Sequence, residues 1–388
     1  MTLLITNANL LTPFEEIENA AIRINTEGSI EAITPMSDVQ TDGCELLDAK
    51  GKYAIPGLID LHVHGGNGIS FGLGDLAAEL DAYARWIASF GETGFLLSVT
   101  GPNALSIEQT VQTYAELLAH QSAGAQVLGL HLEGPFLNPE KHGAFNLDWI
   151  HAPNLAEIQR YLKAGQGWVR QVSLAPELPQ SDVVAQFLAS QGVIAALGHS
   201  NTDYATAAAA LKGPFSHVTH TFNAQSAFNH REPGVIGAVL ASERVTAELI
   251  ADGLHVHPAA MKVLLLCLGL ERVALITDAM PGAGLPDGEY DLVGQKISVV
   301  NGKAALPDGT LGGSTVTINA CVRNLHQMCA VPLLDAVRMA SYNPAAILGL
   351  QDQIGSLEIG KLANLAIVDK NMNVFNTFVK GRQVYASA

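Results

Sequence analysis

Residues Gly57–Gly65, GLIDLHVHG, decide how this chain is read. Their apolar run reads as a strand, and the two-residue period of a strand sends His62 and His64 to the same side. The stretch that follows at 75–90, DLAAELDAYARWIASF, changes period: its apolar residues fall three and four apart, as on a helix packing one face against a sheet. The same pair of signals recurs along the middle of the chain. Strand-like runs continue with GFLLSVT (94–100), QVLGLHLE (126–133), VRQVSLAP (169–176), VIAALGH (193–199), SHVTH (216–220), AELIAD (247–252) and VALITD (273–278). Helical patterns such as SIEQTVQTYAELLA (106–119) and SDVVAQFLAS (181–190) separate them. Eight alternations predict an α/β fold, a parallel (β/α)8 TIM-like barrel, in which the shared side of His62 and His64 is the interior.

The flanks have a different texture. Short β patterns at Leu3–Leu11, Ala21–Asn25, Ile30–Thr34 and Glu45–Asp48 precede the barrel, and NLAIVDKNMNVFNTFVKGRQVYA (364–386) repeats them at the other end. Both ends are expected to build one small β-sandwich domain from residues 1–54 and 350–388, leaving 55–349 as the catalytic barrel domain. Within it, YDLVGQKISVVNGKAAL (290–306) reads as a hairpin inserted near the site, turned at Asn301-Gly302.

Composition narrows the partners. With 388 residues, 48% hydrophobic and 15% charged, the chain suits a large buried core. Its net charge of −16 argues against nucleic acid or an anionic membrane as a partner, since both demand a basic surface. Cys44, Cys267, Cys321 and Cys329 form no CxxC pair, so free thiols in a reducing cytoplasm are expected. MTLLITNANLLTPFEE lacks a basic leader region and reads as a strand, not a signal peptide; no run reaches membrane-spanning length.

The chemistry sits at the strand ends. Two histidines closing one strand could simply cap it, but Glu133, His199, His220 and Asp278 close four further apolar runs. Catalytic groups of this fold occupy those ends. Imidazoles and carboxylates are ligands for zinc or iron, and a buried carboxylate without a cation is costly. A shared metal centre accounts for all six residues together, whereas six separate coincidences do not. His131, one layer deeper than Glu133, is expected to support the ligands by packing or hydrogen bonding.

PGLIDLHVHG, HLEGPF, LGHS, HTFNA, REPG, ADGLHVHP and LITDAM, in this order over nearly the whole chain, resemble the N-acetylglucosamine-6-phosphate deacetylases of the amidohydrolase superfamily. The resemblance implies hydrolysis of N-acetyl-D-glucosamine 6-phosphate to D-glucosamine 6-phosphate and acetate by water activated at a divalent metal, zinc or iron, one or two per subunit. It implies one metal on Glu133, His199 and His220, and allows a second on His62, His64, Glu133 and Asp278. Asp278 corresponds to the catalytic carboxylate, which takes a proton from water and returns it to the departing amine. Asn223, the Ala224 backbone, Arg231 and His255 correspond to phosphate-binding positions. His255 is expected to reach the neighbouring subunit's phosphate, making the enzyme a homodimer.

One position departs from the family pattern: Phe145 stands where a histidine contacting the reacting amide is common, and His142, three residues earlier, is the candidate substitute. Gln225, Ser226 and the segment SFGLGD (70–75) also depart and are expected to border the pocket. Three alternatives remain open at this point. They are deacetylation of N-acetyl-D-galactosamine 6-phosphate, another amidohydrolase reaction with a different substrate, and a barrel retained only for binding. Intact ligand positions argue against the last.

Overall fold

The computed structural model describes residues 2–72, 74–120, 124–292 and 294–387. Eight parallel strands follow one another around a barrel: β1 (Leu58–Val63), β2 (Glu92–Val99), β3 (Gln126–Glu133), β4 (Val169–Leu174), β5 (Ile194–Leu197), β6 (Phe215–Val218), β7 (Thr246–Ile250) and β8 (Val273–Ile276). These are the eight runs expected from sequence. Every residue of β1, β2 and β8 is buried, which is why those runs read as nearly continuous apolar stretches. The barrel closes just beyond the last regular residue of β8. There Asp278 N–H donates to His62 O at 2.9 Å and His64 N–H donates to Ala279 O at 2.8 Å. Closure and the candidate ligands therefore occupy the same seam.

A helix follows each strand: α1 (Leu76–Ala88), α2 (Ala104–Leu118), α3 (Leu155–Ala164), α4 (Ser181–Ser190), α5 (Tyr204–Lys212), α6 (Gly234–Leu240), α7 (Pro258–Leu268) and α8 (Ile318–Cys329). The helix α1 shows why. Asp75 caps it by accepting from the N–H groups of Ala77 and Ala78, and Leu80, Tyr83, Ala84 and Ile87 supply one buried stripe. Asn103 and Ser106 cap α2 reciprocally.

Strands from both chain ends share one eight-stranded sheet. It forks at Thr2–Leu11, which has Glu16–Ile24 on one edge and both Cys44–Asp48 and Tyr53–Pro56 on the other. Tyr53–Pro56 in turn pairs antiparallel with Leu365–Val368, which brings in the last two strands, Val374–Val379 and Arg382–Ala386. Ile5, Leu10 and Ile22 meet Leu365, Ile367 and Phe378 in one core, so the two ends stabilise each other. This layer is tied to the barrel where Tyr53–Pro56 runs into β1 and where Thr377 Oγ1 donates to Ala88 O at 2.6 Å.

Two long strand-to-helix connections rise above the C-terminal end of the barrel. One, residues 134–154, follows β3. The other follows β8 and carries a three-stranded antiparallel sheet, Gly288–Leu292, Gln295–Val300 and Lys303–Ala305. Its second turn uses Asn301 and Gly302 at φ of 52° and 73°, the left-handed values a tight hairpin needs. Met280 and Ala144 pack with Ile297 and Leu292, which seats this small sheet beside the first connection.

Candidate active site

Five of the eight strands deliver a metal-capable residue at or just past the C-terminal end. His62 lies within β1, His64 just beyond it, and Glu133 is the last residue of β3. His199, His220 and Asp278 lie two residues past β5, β6 and β8, with φ of 47°, 26° and 50°. Left-handed backbone at non-glycine residues costs about 1–3 kcal/mol each and persists where the surroundings impose it. Three such residues facing one point mark the barrel mouth as a place where geometry outranks local comfort.

The six side chains converge in two groups, His62, His64, Asp278 and Glu133, His199, His220, with the ligand-capable atoms of each within 4.8 Å of one another. Glu133 joins the groups. Its Oε2 lies 2.8 Å from His64 Nε2 and 3.3 Å from His62 Nε2, and its Oε1 lies 3.0 Å from His220 Nε2 and 3.2 Å from His199 Nε2. Asp278 Oδ1 stands 3.6 and 3.5 Å from the Nε2 atoms of His62 and His64.

The outer nitrogens decide what the inner ones offer. His199 Nδ1 donates to the carbonyl of Lys141 at 2.7 Å, and His62 Nδ1 faces Glu248 Oε2 at 3.1 Å. Carbonyl and carboxylate oxygens only accept, so each Nδ1 carries the hydrogen and the neutral ring keeps its lone pair on Nε2. The lone pairs of His62 and His199 point at Glu133, and their Nε2 atoms lie 3.2 Å from that of His64 and 3.0 Å from that of His220. An imidazole lone pair aimed at a carboxylate is favourable only with a proton or a cation between the two.

The electrostatics make the same demand. Burial alone would lower the pKa of His62, but the charges of Glu133, Asp278 and Glu248 outweigh it and hold the imidazole well above its ordinary value. Burial would raise Glu133, yet the charge of His62 and hydrogen bonds from His199 and His220 hold that carboxyl well below its usual range. The position draws either an extra proton or a divalent cation, and the nitrogen and oxygen donor set fits the cation. The chain thus carries residues fit to hold metal at the mouth of the barrel.

Beneath this floor the barrel interior is polar. His131 Nδ1 and Nε2 lie 3.1 and 2.8 Å from the hydroxyls of Ser98 and Ser173, and its ring meets His62 edge to face at 4.5 Å. Sequence reasoning anticipated such support from His131 but missed the other members. Glu248 accepts from Gln171 Nε2 at 2.8 Å and faces His217 Nε2 at 3.2 Å. Asp60, buried and pushed up to about 7 mainly by that burial, accepts from the backbone of His62 and from Thr277. The signal for Glu248 was present, an acid inside the apolar run AELIAD, as was the Asp60 of GLIDLHVHG.

Above the ligands opens a cavity of about 330 Å³, floored by His64, Glu133, His199, His220 and Asp278. His142, Asn223, Ala224 and His255, four of the five residues expected to bind substrate, line it. The fifth, Arg231, is exposed and lies outside the walls of this cavity. His255 lines the cavity of its own subunit, where Asp252 Oδ2 lies 2.6 Å from its Nδ1. Phe145 also lines the cavity and sets its ring edge to face on His199 at 5.2 Å. His142 Nδ1 donates to Phe145 O at 2.9 Å, which leaves Nε2 for a ligand.

Gln225 and Ser226 do not border the cavity, contrary to expectation. Gln225 Nε2 donates to Thr219 O at 2.9 Å and its Oε1 accepts from Phe222 N, while Ser226 Oγ donates to Thr202 O at 2.7 Å. Both brace the loop after β6 from behind. In SFGLGD, Leu73 lies outside the described residues, and none of the others lines the cavity.

Comparison with known proteins agrees with this geometry. The model of the Amidohydrolase family matches residues 53–384. The N-acetylglucosamine-6-phosphate deacetylase of Bacillus subtilis is 35% identical over 389 residues, covering 100% of this chain and 98% of its own. The N-acetylgalactosamine-6-phosphate deacetylase of Escherichia coli O157:H7 is 36% identical over 98% of this chain and 99% of its own. The crystal structure of N-acetylglucosamine-6-phosphate deacetylase from Pasteurella multocida superimposes with a TM-score of 0.93 at 31% identity, covering 100% of both chains. A full-length match in sequence and in fold, on a barrel whose mouth gathers the expected ligands, settles the lineage: this chain belongs to the amidohydrolase family and, within it, to the N-acetylglucosamine-6-phosphate deacetylase family.

Proposed function

We propose that this chain hydrolyses N-acetyl-D-glucosamine 6-phosphate to D-glucosamine 6-phosphate and acetate. The observation that carries the reading is the Glu133-centred ligand set opening onto a cavity lined by Asp278, His142 and His255. Glu133, His199 and His220 would hold one divalent ion, zinc or iron, and His62, His64 and Asp278, with Glu133, would hold a second. A bound divalent ion polarises the acetamide carbonyl and lowers the pKa of a water beside it. Asp278, at the edge of the ligand set, receives the proton of the attacking water and passes it to the amine nitrogen as the C–N bond breaks. His142 offers Nε2 to the acetamide in place of the histidine that Phe145 replaces.

His255, anchored by Asp252, and Asn223 with the Ala224 backbone receive the phosphate end of the sugar. Arg231, exposed and away from its own cavity, meets that phosphate in the cavity of a second subunit, which makes the working form a homodimer with shared sites. Residues 1–54 and 350–388 act as a supporting β domain and 55–349 as the catalytic one. Among the described residues no helix is long and apolar enough to cross a membrane. Four free cysteines and a phosphorylated sugar substrate fit work in a reducing cytoplasm.

A second reading, deacetylation of the galacto epimer, is favoured by the 36% identity to the Escherichia coli enzyme of that name. Acetate release from the two N-acetylhexosamine 6-phosphates and their unphosphorylated sugars, with metal-reconstituted protein, separates them. The gluco phosphate is expected to be preferred. Preference for the galacto phosphate would select the second reading, and no release from any would overturn both.

A further inference from the structure

Glu248 lies on β7 with no exposed surface, and everything around it donates. Its Oε2 accepts from His62 Nδ1 at 3.1 Å and from the backbone N–H of His220 at 2.9 Å. Its Oε1 accepts from Gln171 Nε2 at 2.8 Å and faces His217 Nε2 at 3.2 Å. Its own carbonyl accepts from Thr221 N–H at 3.0 Å. One carboxylate oxygen therefore touches a member of each ligand group, the ring of His62 and the left-handed backbone, φ 26°, that presents His220. A carboxylate is expensive to bury and accepts on all sides, so the barrel keeps it where only an acceptor serves.

We propose that Glu248 is a positioning residue for the metal centre. By holding Nδ1–H it fixes the face on which His62 offers Nε2, and by holding the N–H of His220 it fixes the strand exit, so one side chain registers both ligand groups. The proposal rests on reading these histidines as metal ligands.

Two variants divide the contributions. In Glu248→Gln the amide oxygen can keep His62 and His220 while the amide NH2 turns to Gln171, whose buried Oε1 has no hydrogen-bond partner among the described residues. Geometry stays and charge is lost. Glu248→Leu removes both. The test is Zn²⁺ affinity by chelator competition, together with crystal structures of the metal-free variants. We expect Zn²⁺ affinity to fall about 10-fold in Glu248→Gln with the His62 ring in place, and about 100-fold or more in Glu248→Leu with the ring turned. An unmoved His62 ring and unchanged affinity in Glu248→Leu would overturn the proposal; if that variant does not fold, unchanged affinity in Glu248→Gln would do so. Zinc that bypasses His62 in the wild type would instead defeat the ligand reading, and the metal-free ring orientation would still decide whether Glu248 holds it.

Discussion

Replacing Asp278 by asparagine isolates the proton-transfer role from everything else this residue does. Its backbone sits at φ 50°, a region asparagine tolerates better than most residues, so the substitution adds no strain at the exit of β8. The side chain keeps its size and one carbonyl oxygen at the place where Oδ1 stands 3.6 and 3.5 Å from His62 and His64. The amide cannot, however, take a proton from water. A positioned general acid–base contributes about 10²–10⁴-fold, and at about 1.36 kcal/mol per decade this is about 2.7–5.4 kcal/mol of transition-state free energy. Steady-state kinetics should show kcat reduced by that factor with KM changed far less, while thermal denaturation stays near wild type and the ion at Glu133, His199 and His220, which Asp278 does not ligate, is retained. Retention of more than about a tenth of wild-type kcat would refute the proton-shuttle role, because no such contribution would then be left to lose.

Arg231→Ala should raise KM about 10-fold or more for a phosphorylated substrate, leave unphosphorylated sugars unaffected, and leave Tm unchanged, since the side chain is exposed. Mixing that variant with Asp278→Asn should restore activity if sites are shared between subunits; an additive result would remove the shared site. His142→Ala should lower kcat/KM about 2- to 12-fold, the worth of one hydrogen bond, and adding Phe145→His should recover part of it. No loss in the single variant would strike His142 from the site. A pH-dependent stability test concerns His151, whose Nε2 lies 3.4 Å from Glu157 Oε1. The hydrogen bond to Glu157 raises the pKa of His151; burial would raise Glu157, but hydrogen bonds from His151 and Tyr161 outweigh it and lower it. The histidine's contribution is complete below its unfolded pKa and fades as pH rises through its raised folded value. The glutamate's holds above its unfolded pKa and fades as pH falls through its lowered folded one. His151→Gln should therefore lower Tm near pH 5.5, between the ordinary values of about 4.3 and 6.5, and leave it unchanged near pH 9. An equal loss at both pH values would contradict the pairing.

The barrel was legible because its strands are largely buried on both faces and so stand out as apolar runs, five of which end in metal-capable residues. That same contrast exposed His62, His64, Glu133, His199, His220 and Asp278, which the fold brings into two adjoining groups. What lay hidden depends on contacts between strands. Glu248 reads as one acid in AELIAD until β7 is set beside β6 and the ring of His62. The carbonyl of Lys141, which orients His199, carries no side-chain signal at all. Loop residues were the least legible: Arg231 and His255 looked alike as cations in polar segments, yet only His255 lines its own cavity. Gln225 and Ser226 proved to be braces of the loop, a distinction that rests on which way each side chain turns.

The central claim, metal-dependent deacetylation at the Glu133-centred cluster, is tested most directly by acetate release from N-acetyl-D-glucosamine 6-phosphate before and after exhaustive chelation. The account predicts that activity disappears with the metal and returns on adding Zn²⁺ or Fe²⁺. Full activity in protein shown by elemental analysis to be metal-free would contradict it.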